Sequence, residues 1–227
     1  MAMRRISKWF AVACLFLAIL YVALGWIALR QARETRIRAE SLLQASRSLR
    51  SGTATRQQVL DLANRYGGKF RRPDPKASLI ISDPARFGID PKYLDPCSIG
   101  AEEFGFEFDH PMLTKLRLAP DERFGVFLRV YGGVVCMNGA GFDSRGRDFA
   151  LSVTERLSEA DGWFSARVAN RWTSIKIDLG VPEDVLEGVY DFKLDCMGRL
   201  GGCKSSSDVL PWIWSNLKRE GVYYTGE

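Results

Sequence analysis

A run of twenty-one residues without a charge, from Trp9 to Leu29 (WFAVACLFLAILYVALGWIAL), constrains this chain more than any other feature. At ~1.5 Å per residue a helix of that length reaches about the ~30 Å of a bilayer core, and it satisfies its own backbone groups in lipid. A cleaved secretory signal begins in the same way, with Arg4, Arg5 and Lys8 ahead of an apolar run. Two features favour an uncleaved anchor. The run exceeds the ~7 to 15 residues of a signal core. Bulky Leu29 also stands between Ala28 and Arg30, where a small-x-small cleavage site would lie. The expected division is a cytoplasmic tail over 1–8, a transmembrane helix over 9–29, a basic helical connector over 30–72 and an α+β extracytoplasmic domain over 73–227.

The net charge of +5 over 227 residues is distributed unevenly. The three parts 1–29, 30–72 and 73–227 carry +3, +8 and −6. With 46% hydrophobic and 26% charged residues, the composition excludes a wholly disordered chain, a collagen-like fibre and a multi-span transporter. Basic residues near the two ends of the span almost balance, so the positive-inside rule decides little: Arg4, Arg5 and Lys8 face Arg30, Arg33, Arg36, Arg38 and Arg47. The cysteines break the tie. Cys14 lies in the span, whereas Cys97, Cys136, Cys196 and Cys203 form an even set in the distal domain, as expected where disulfides persist. This places the N-terminus in the cytoplasm and the C-terminal domain outside, in the periplasm or at the cell surface. The competing reading is a cytoplasmic domain with reduced thiols, its basic connector lying on the anionic inner leaflet.

Residues 30–50 consist of good helix formers and could extend the span as a stalk. Their polar circumference suggests a solvated or headgroup-associated face, on which Arg30, Arg33, Arg36 and Arg38 meet the membrane surface. Nucleic acid is disfavoured as a partner, because the distal domain is acidic and no aromatic residues interleave the basic ones. Thr55 with Gln58 forms a capping-box pattern ahead of a short helix with Val59, Leu60 and Leu62 as its apolar stripe and Gly67 as its stop. Gly52, Thr53, Thr55, Arg56, Val59, Leu62 and Gly67 together resemble the short helix of small outer-membrane assembly lipoproteins, and no function is carried over from that likeness. Prolines then punctuate residues 71–97, where Leu79, Ile80 and Ile81 could form a strand.

From Phe104 the apolar period becomes two. Phe104, Phe106 and Phe108 share one strand face, opposite Glu103, Gly105, Glu107 and Asp109. Gly132 and Gly133 suit a two-residue hairpin turn, which would pair Tyr131 with Val134, Val130 with Val135, Arg129 with Cys136 and Leu128 with Met137. Phe124, Val126, Leu128, Val130, Val135 and Met137 would then face the core, and Cys136 the other side. A second hairpin, turning at Asn170 and Arg171, pairs Val168 with Thr173, Ala166 with Ile175 and Phe164 with Ile177; Phe149, Leu151 and Val153 mark a strand between the two. A helix is expected from Pro182 through Val185, Val189, Phe192, Cys196 and Leu200, and a last one over Val209 to Lys218 capped by Ser207. The fold class is α+β, an antiparallel sheet of five or six strands flanked by helices and preceded by one N-terminal transmembrane helix.

A local Cys196–Cys203 disulfide is the favoured pairing, and Cys97–Cys136 follows by elimination. A zinc site is the alternative, but Cys-x6-Cys is not a usual ligand spacing, and the sole histidine, His110, sits in Asp-His-Pro. No motif calls for a metal or any other cofactor, and no catalytic residue is assigned. Glu102, Glu103, Glu107 and Asp109 form an acidic cluster that could serve glycoside hydrolysis, although alternate acids on a wet strand face are ordinary. Trp163, Trp172, Trp212 and Trp214 could form a carbohydrate platform, although cover by helices is the more ordinary role. The expected function is therefore non-enzymatic: a membrane-anchored binding or structural protein of the cell envelope, integral to the membrane through a single span, with a protein partner on the distal domain. The alternative is a membrane-tethered hydrolase of envelope glycans acting through Glu103 and Glu107.

Overall fold

A computed structural model describes residues 2–90, 94–145, 147, 149–156, 163–169, 173–178, 187–188, 190–215 and 222–225, with the backbone alone for some of these. Its first element is one helix, α1 (Ala2–Arg47), which contains the uncharged run and continues past it without a break. By length and composition this helix can cross a membrane. Its two halves are nevertheless unlike. Trp9, Phe10, Val12, Leu15, Phe16 and Trp26 stand exposed, whereas Ala28, Ala32, Ala39, Leu42, Leu43 and Ser46 are buried.

The rest of the chain explains that change. Helix α2 (Arg56–Tyr66) carries the expected capping box between Thr55 and Gln58 and ends at Gly67 in the left-handed region, with Val59 and Leu62 buried. An antiparallel sheet follows, with strands in chain order: β1 (Lys69–Arg71), β2 (Glu102–Asp109), β3 (Glu122–Tyr131), β4 (Val134–Ser144), β5 (Phe149–Arg156), β6 (Trp163–Ala169), β7 (Thr173–Asp178) and β8 (Val222–Thr225). Each strand returns beside its predecessor, so the sheet is a meander, and with the helices packed against it the arrangement is α+β. Strands β2 to β7 are the six read from periodicity. The edges β1 and β8 add one strand at each side, and neither shows an alternation long enough to read.

One face of β2 to β5 presents Phe104, Phe106, Phe108, Phe124, Val126, Leu128, Val135, Phe142, Leu151 and Val153 to a core that also contains Ala39, Leu42, Leu43 and Leu49 of α1 and its C-terminal extension. The expectation of a solvated connector therefore fails for this face of the helix. Small and branched residues at 39, 42, 43, 46 and 49 follow helical spacing and make a stripe that the sheet covers. The cationic residues occupy the remaining circumference, and that is why composition alone reads as a stalk.

Three further local expectations are corrected. Leu79–Ile81 belong to helix α3 (Ala77–Ser82) rather than a strand, because β1 already occupies the free edge of β2. The stretch expected as one helix from Pro182 is helical at Glu187 and Gly188, irregular at Asp191–Lys193 and a 3-10 turn at Leu194–Gly198. Tyr190, Phe192 and Leu194 are buried at a period of two, and the Lys193 amide bonds to the Val209 carbonyl in place of a helical partner. The last helix is two short pieces, Ser206–Val209 and Pro211–Ser215, with Ser205 rather than Ser207 at the N-cap. Pro211 has no N–H and holds Leu210 out of the helical region, which breaks the run there. Val185, the turn at Asn170 and Arg171, and Trp172 lie outside the described residues; the expected pairs Val168–Thr173, Ala166–Ile175 and Phe164–Ile177 are the observed register of β6 and β7.

Candidate functional site

The hairpin of β3 and β4 turns at Gly132 and Gly133, both at positive φ, and pairs Tyr131 with Val134 and Val130 with Val135 as expected. The expected register then fails by one residue. A bulge lies between Arg129 and Val130, so that Arg129 faces Met137 and Leu128 faces Asn138. The extra residue is Cys136. Met137 is thereby moved off the core face and packs with Cys97, Cys136, Phe127 and Tyr131 on the other side of the sheet. There Cys97 and Cys136 form a disulfide. Asn138 takes the inward position that Met137 would have had.

This exchange sets a polar group against the end of α1. Asn138 Nδ2 donates to the Ser46 carbonyl at 2.9 Å, which also accepts the Leu49 amide, and to the Leu49 carbonyl at 3.1 Å, so it closes the chain just past the helix terminus. Both of those partners are acceptors, so the amide orientation is fixed, and Oδ1 is left buried without a partner. The backbone just beyond is fastened to the same hairpin: Gly52 N–H donates to the Val135 carbonyl, Val135 N–H to the Ala54 carbonyl, and Arg56 N–H to the Gly133 carbonyl.

Glu155 lies beside Asn138 in the register of β4 with β5. It extends the inward series Phe149, Leu151, Val153, and its side chain is buried. Its Oε1 accepts the Ser51 amide at 3.3 Å. Oε2 is 3.9 Å from Arg50 Nη1, beyond hydrogen-bonding distance, and has no hydrogen-bond partner. Burial raises the Glu155 carboxyl above its ordinary value, and the Arg50 charge and the Ser51 amide only partly oppose that rise. Arg47, one helical turn before the cap, donates through Nη2 to the Tyr190 carbonyl, while its Nε is buried and unpartnered. Its guanidinium pKa is lowered by burial despite the nearby Asp191 and Glu187 carboxylates. The Tyr190 hydroxyl donates to the Asn138 carbonyl at 3.2 Å, and burial, helped by the Glu155 charge, raises it well above the usual phenol range. Between these groups lies a cavity of about 500 Å³, bordered by Arg47, Arg50, Asn138, Glu155, Glu187 and Tyr190. The residues that border this space thus carry two buried acceptor atoms and one buried donor atom without a hydrogen-bond partner among the described residues.

The residues singled out from sequence lie elsewhere. Cys196 and Cys203, also weighed as zinc ligands, form the second disulfide. His110 is buried with Nε2 3.0 Å from Glu122 Oε2, and Glu122 Oε1 accepts the Cys203 amide, so this pair ties the ends of β2 and β3 to the disulfide loop. Among the described residues no cluster of His, Cys, Asp and Glu could hold a metal ion. On the outer sheet face Glu103 pairs with Arg129 at 2.8 Å directly across β2 and β3, and Glu107 pairs with Lys69 at 3.0 Å; Glu102, on the face that α2 covers, pairs with Arg56, and Asp109 is exposed at the end of that strand. Arg30 is paired with Glu34 on the helix surface, Arg36 bridges Glu40 and Asp195, and Arg33 and Arg38 are exposed. The Trp212 ring lies over Gly188, where a Cβ would come within 2.1 Å of it. The side chains of Trp163, Trp172 and Trp214 lie outside the described residues.

Arg47, Arg50, Asn138, Glu155 and Tyr190 carried no motif. Glu155 had a legible signal, a carboxylate continuing an apolar alternation, and so did His110 after Phe108 and Glu122 before Phe124. Asn138 had none, because the bulge that turns it inward leaves the sequence pattern unchanged. Compared with family models, curated proteins and solved structures, the chain has no match to any of them.

Proposed function

We propose that this chain is a single-pass membrane protein with its N-terminus in the cytoplasm and residues 9–29 across the bilayer, presenting a disulfide-bonded α+β domain on the extracytoplasmic side. The domain serves as a non-enzymatic binding or structural module of the cell envelope, with a protein partner as its expected interactor. The observation that carries this reading is the two-sided nature of α1. Its first half exposes large apolar side chains, among them Trp9 at 75% and Trp26 at 65%, whereas its second half lies in the core of the domain.

That continuity also bears on cleavage. The loop after helix α5 (Pro111–Lys115) sits against the apolar run: the Tyr21 hydroxyl donates to the Leu116 carbonyl at 3.0 Å, and Leu118 lies over Gly25. Leu113 and Ala119 pack with Ala28 and Ala32. Removing residues 1–29 as a signal would strip these contacts from the domain, which favours an uncleaved anchor. The same contacts set the loop against the C-terminal third of the apolar run, and Lys115 and Arg117 in that part of the chain are exposed. Two disulfides outside the span support an oxidising compartment for the domain.

The hydrolase alternative has no such support. Glu103 and Glu107 project from one face of a single strand, each already paired with a cation, and the groove beside them is lined by Gly105, Gly125 and Gly141. Protease digestion of spheroplasts carrying the full chain with a tag at each end tests the orientation. The account expects loss of the C-terminal tag and protection of the N-terminal one; the opposite pattern contradicts it.

A further inference from the structure

The geometry points to the cavity between the end of α1 and strands β4 and β5 as a binding site for a small zwitterion of amino-acid or dipeptide size, its carboxylate held by Arg47 and Arg50 and its ammonium by Glu155 and Asn138. This inference rests on the reading of the domain as a binding module and names a ligand class for it.

Three observations carry the inference. The space is about 500 Å³, within the ~300–1,000 Å³ of small-molecule sites. Two residues that border it carry buried acceptor atoms without a hydrogen-bond partner among the described residues, Asn138 Oδ1 and Glu155 Oε2, and both residues are more than nine-tenths buried. A third bordering residue carries an unpartnered buried donor, Arg47 Nε. Leaving such atoms unmade is costly, typically ~1–3 kcal/mol each, so a ligand that satisfies all three gains on every contact.

Charge selects the kind of ligand. Arg47 and Arg50 stand against Glu155 and Glu187, so the bordering charges balance and a ligand without net charge fits best. An anion alone would satisfy the guanidinium groups but set oxygen against Asn138 Oδ1 and Glu155 Oε2. A cation alone would leave Arg47 Nε without an acceptor. A molecule carrying both groups meets both demands. The open distance of 3.9 Å between Arg50 and Glu155 shows that these two opposite charges are not closed on each other by a hydrogen bond.

The test uses the full chain in detergent micelles, where binding does not depend on orientation in a membrane. Calorimetric titration with L-alanyl-L-alanine is compared with N-acetyl-L-alanyl-L-alanine and L-alanyl-L-alaninamide. The expected result is saturable binding of the free dipeptide, with each blocked form weaker by about tenfold or more, the worth of one charge-assisted hydrogen bond. Glu155→Gln, which preserves shape, should lose the discrimination against the N-acetyl form. Equal binding of free and blocked dipeptides would overturn the assignment, and so would the absence of saturable binding in the millimolar range. Because the blocked dipeptides are tested on the unaltered chain, the result stands even if the variant folds poorly. Failure here removes the ligand site and leaves the orientation to the protease experiment.

Discussion

Asn138 closes the end of α1 with two hydrogen bonds from one side-chain nitrogen, to the Ser46 and Leu49 carbonyls. Asn138→Ala would leave the Leu49 carbonyl without its side-chain donor, while the Ser46 carbonyl keeps the Leu49 amide, and would open a small void beside them, for an expected loss of about 1–3 kcal/mol, measurable by urea denaturation. Glu155 gives a prediction of a different kind. Burial raises its carboxyl above the ordinary value, so the folded chain holds that proton more tightly than the unfolded chain does. Stability must therefore fall as pH rises from the ordinary carboxylate value through the raised one, and the cost persists above it. Glu155→Gln removes that contribution. Denaturation midpoints of the natural chain should drop relative to the variant as pH rises across this window, and parallel curves would contradict the assignment. These residues show where a sequence is legible at this scale. A carboxylate at 155 interrupts the series Phe149, Leu151, Val153 and can be noticed; an asparagine at 138 can be understood only after the bulge is known.

Elements were legible wherever one period held over a whole segment. The series Phe104, Phe106, Phe108 and Phe149, Leu151, Val153 fixed strands and faces together, and the cross-strand sorting between 164–168 and 173–177 fixed a register. Thr55, Gln58 and Gly67 specified both ends of α2 because caps are local chemistry. What failed was decided by distant partners. Leu79–Ile81 had no strand edge to join, and the chain leaves the helical path before Lys193, whose amide meets the Val209 carbonyl. The disulfides belong to this scale, since one is long-range and the other local. Cys97–Cys136 spans 39 residues and Cys196–Cys203 spans 7. On the chain-entropy account, replacing the first pair by serine should cost about 1.5 kcal/mol more than replacing the second. Paired denaturation measurements of the two double variants give the comparison, and an equal or reversed order would show that entropy of the unfolded chain does not dominate.

At the scale of the whole molecule, one helix has two environments and no hinge between them. Exposed apolar residues from Trp9 to Ile27 are continuous with the buried stripe Ala28, Ala32, Ala39, Leu42, Leu43, so the domain is built onto the helix that carries the apolar run instead of hanging from it. The long apolar helix was plain in the sequence because an uncharged run of that length needs no partner to be recognised. The docking was not, because its stripe is narrow and set among Arg33, Arg36, Arg38 and Arg47. The central claim concerns the compartment of the distal domain, and thiol accessibility tests it most directly. Cells producing the full chain are quenched in acid to trap thiols, then denatured and treated with a maleimide polymer, with and without prior reduction. The account predicts that one thiol, Cys14, reacts without reduction and that all five react after it. Five reactive thiols without reduction would place the domain in a reducing compartment and contradict the account.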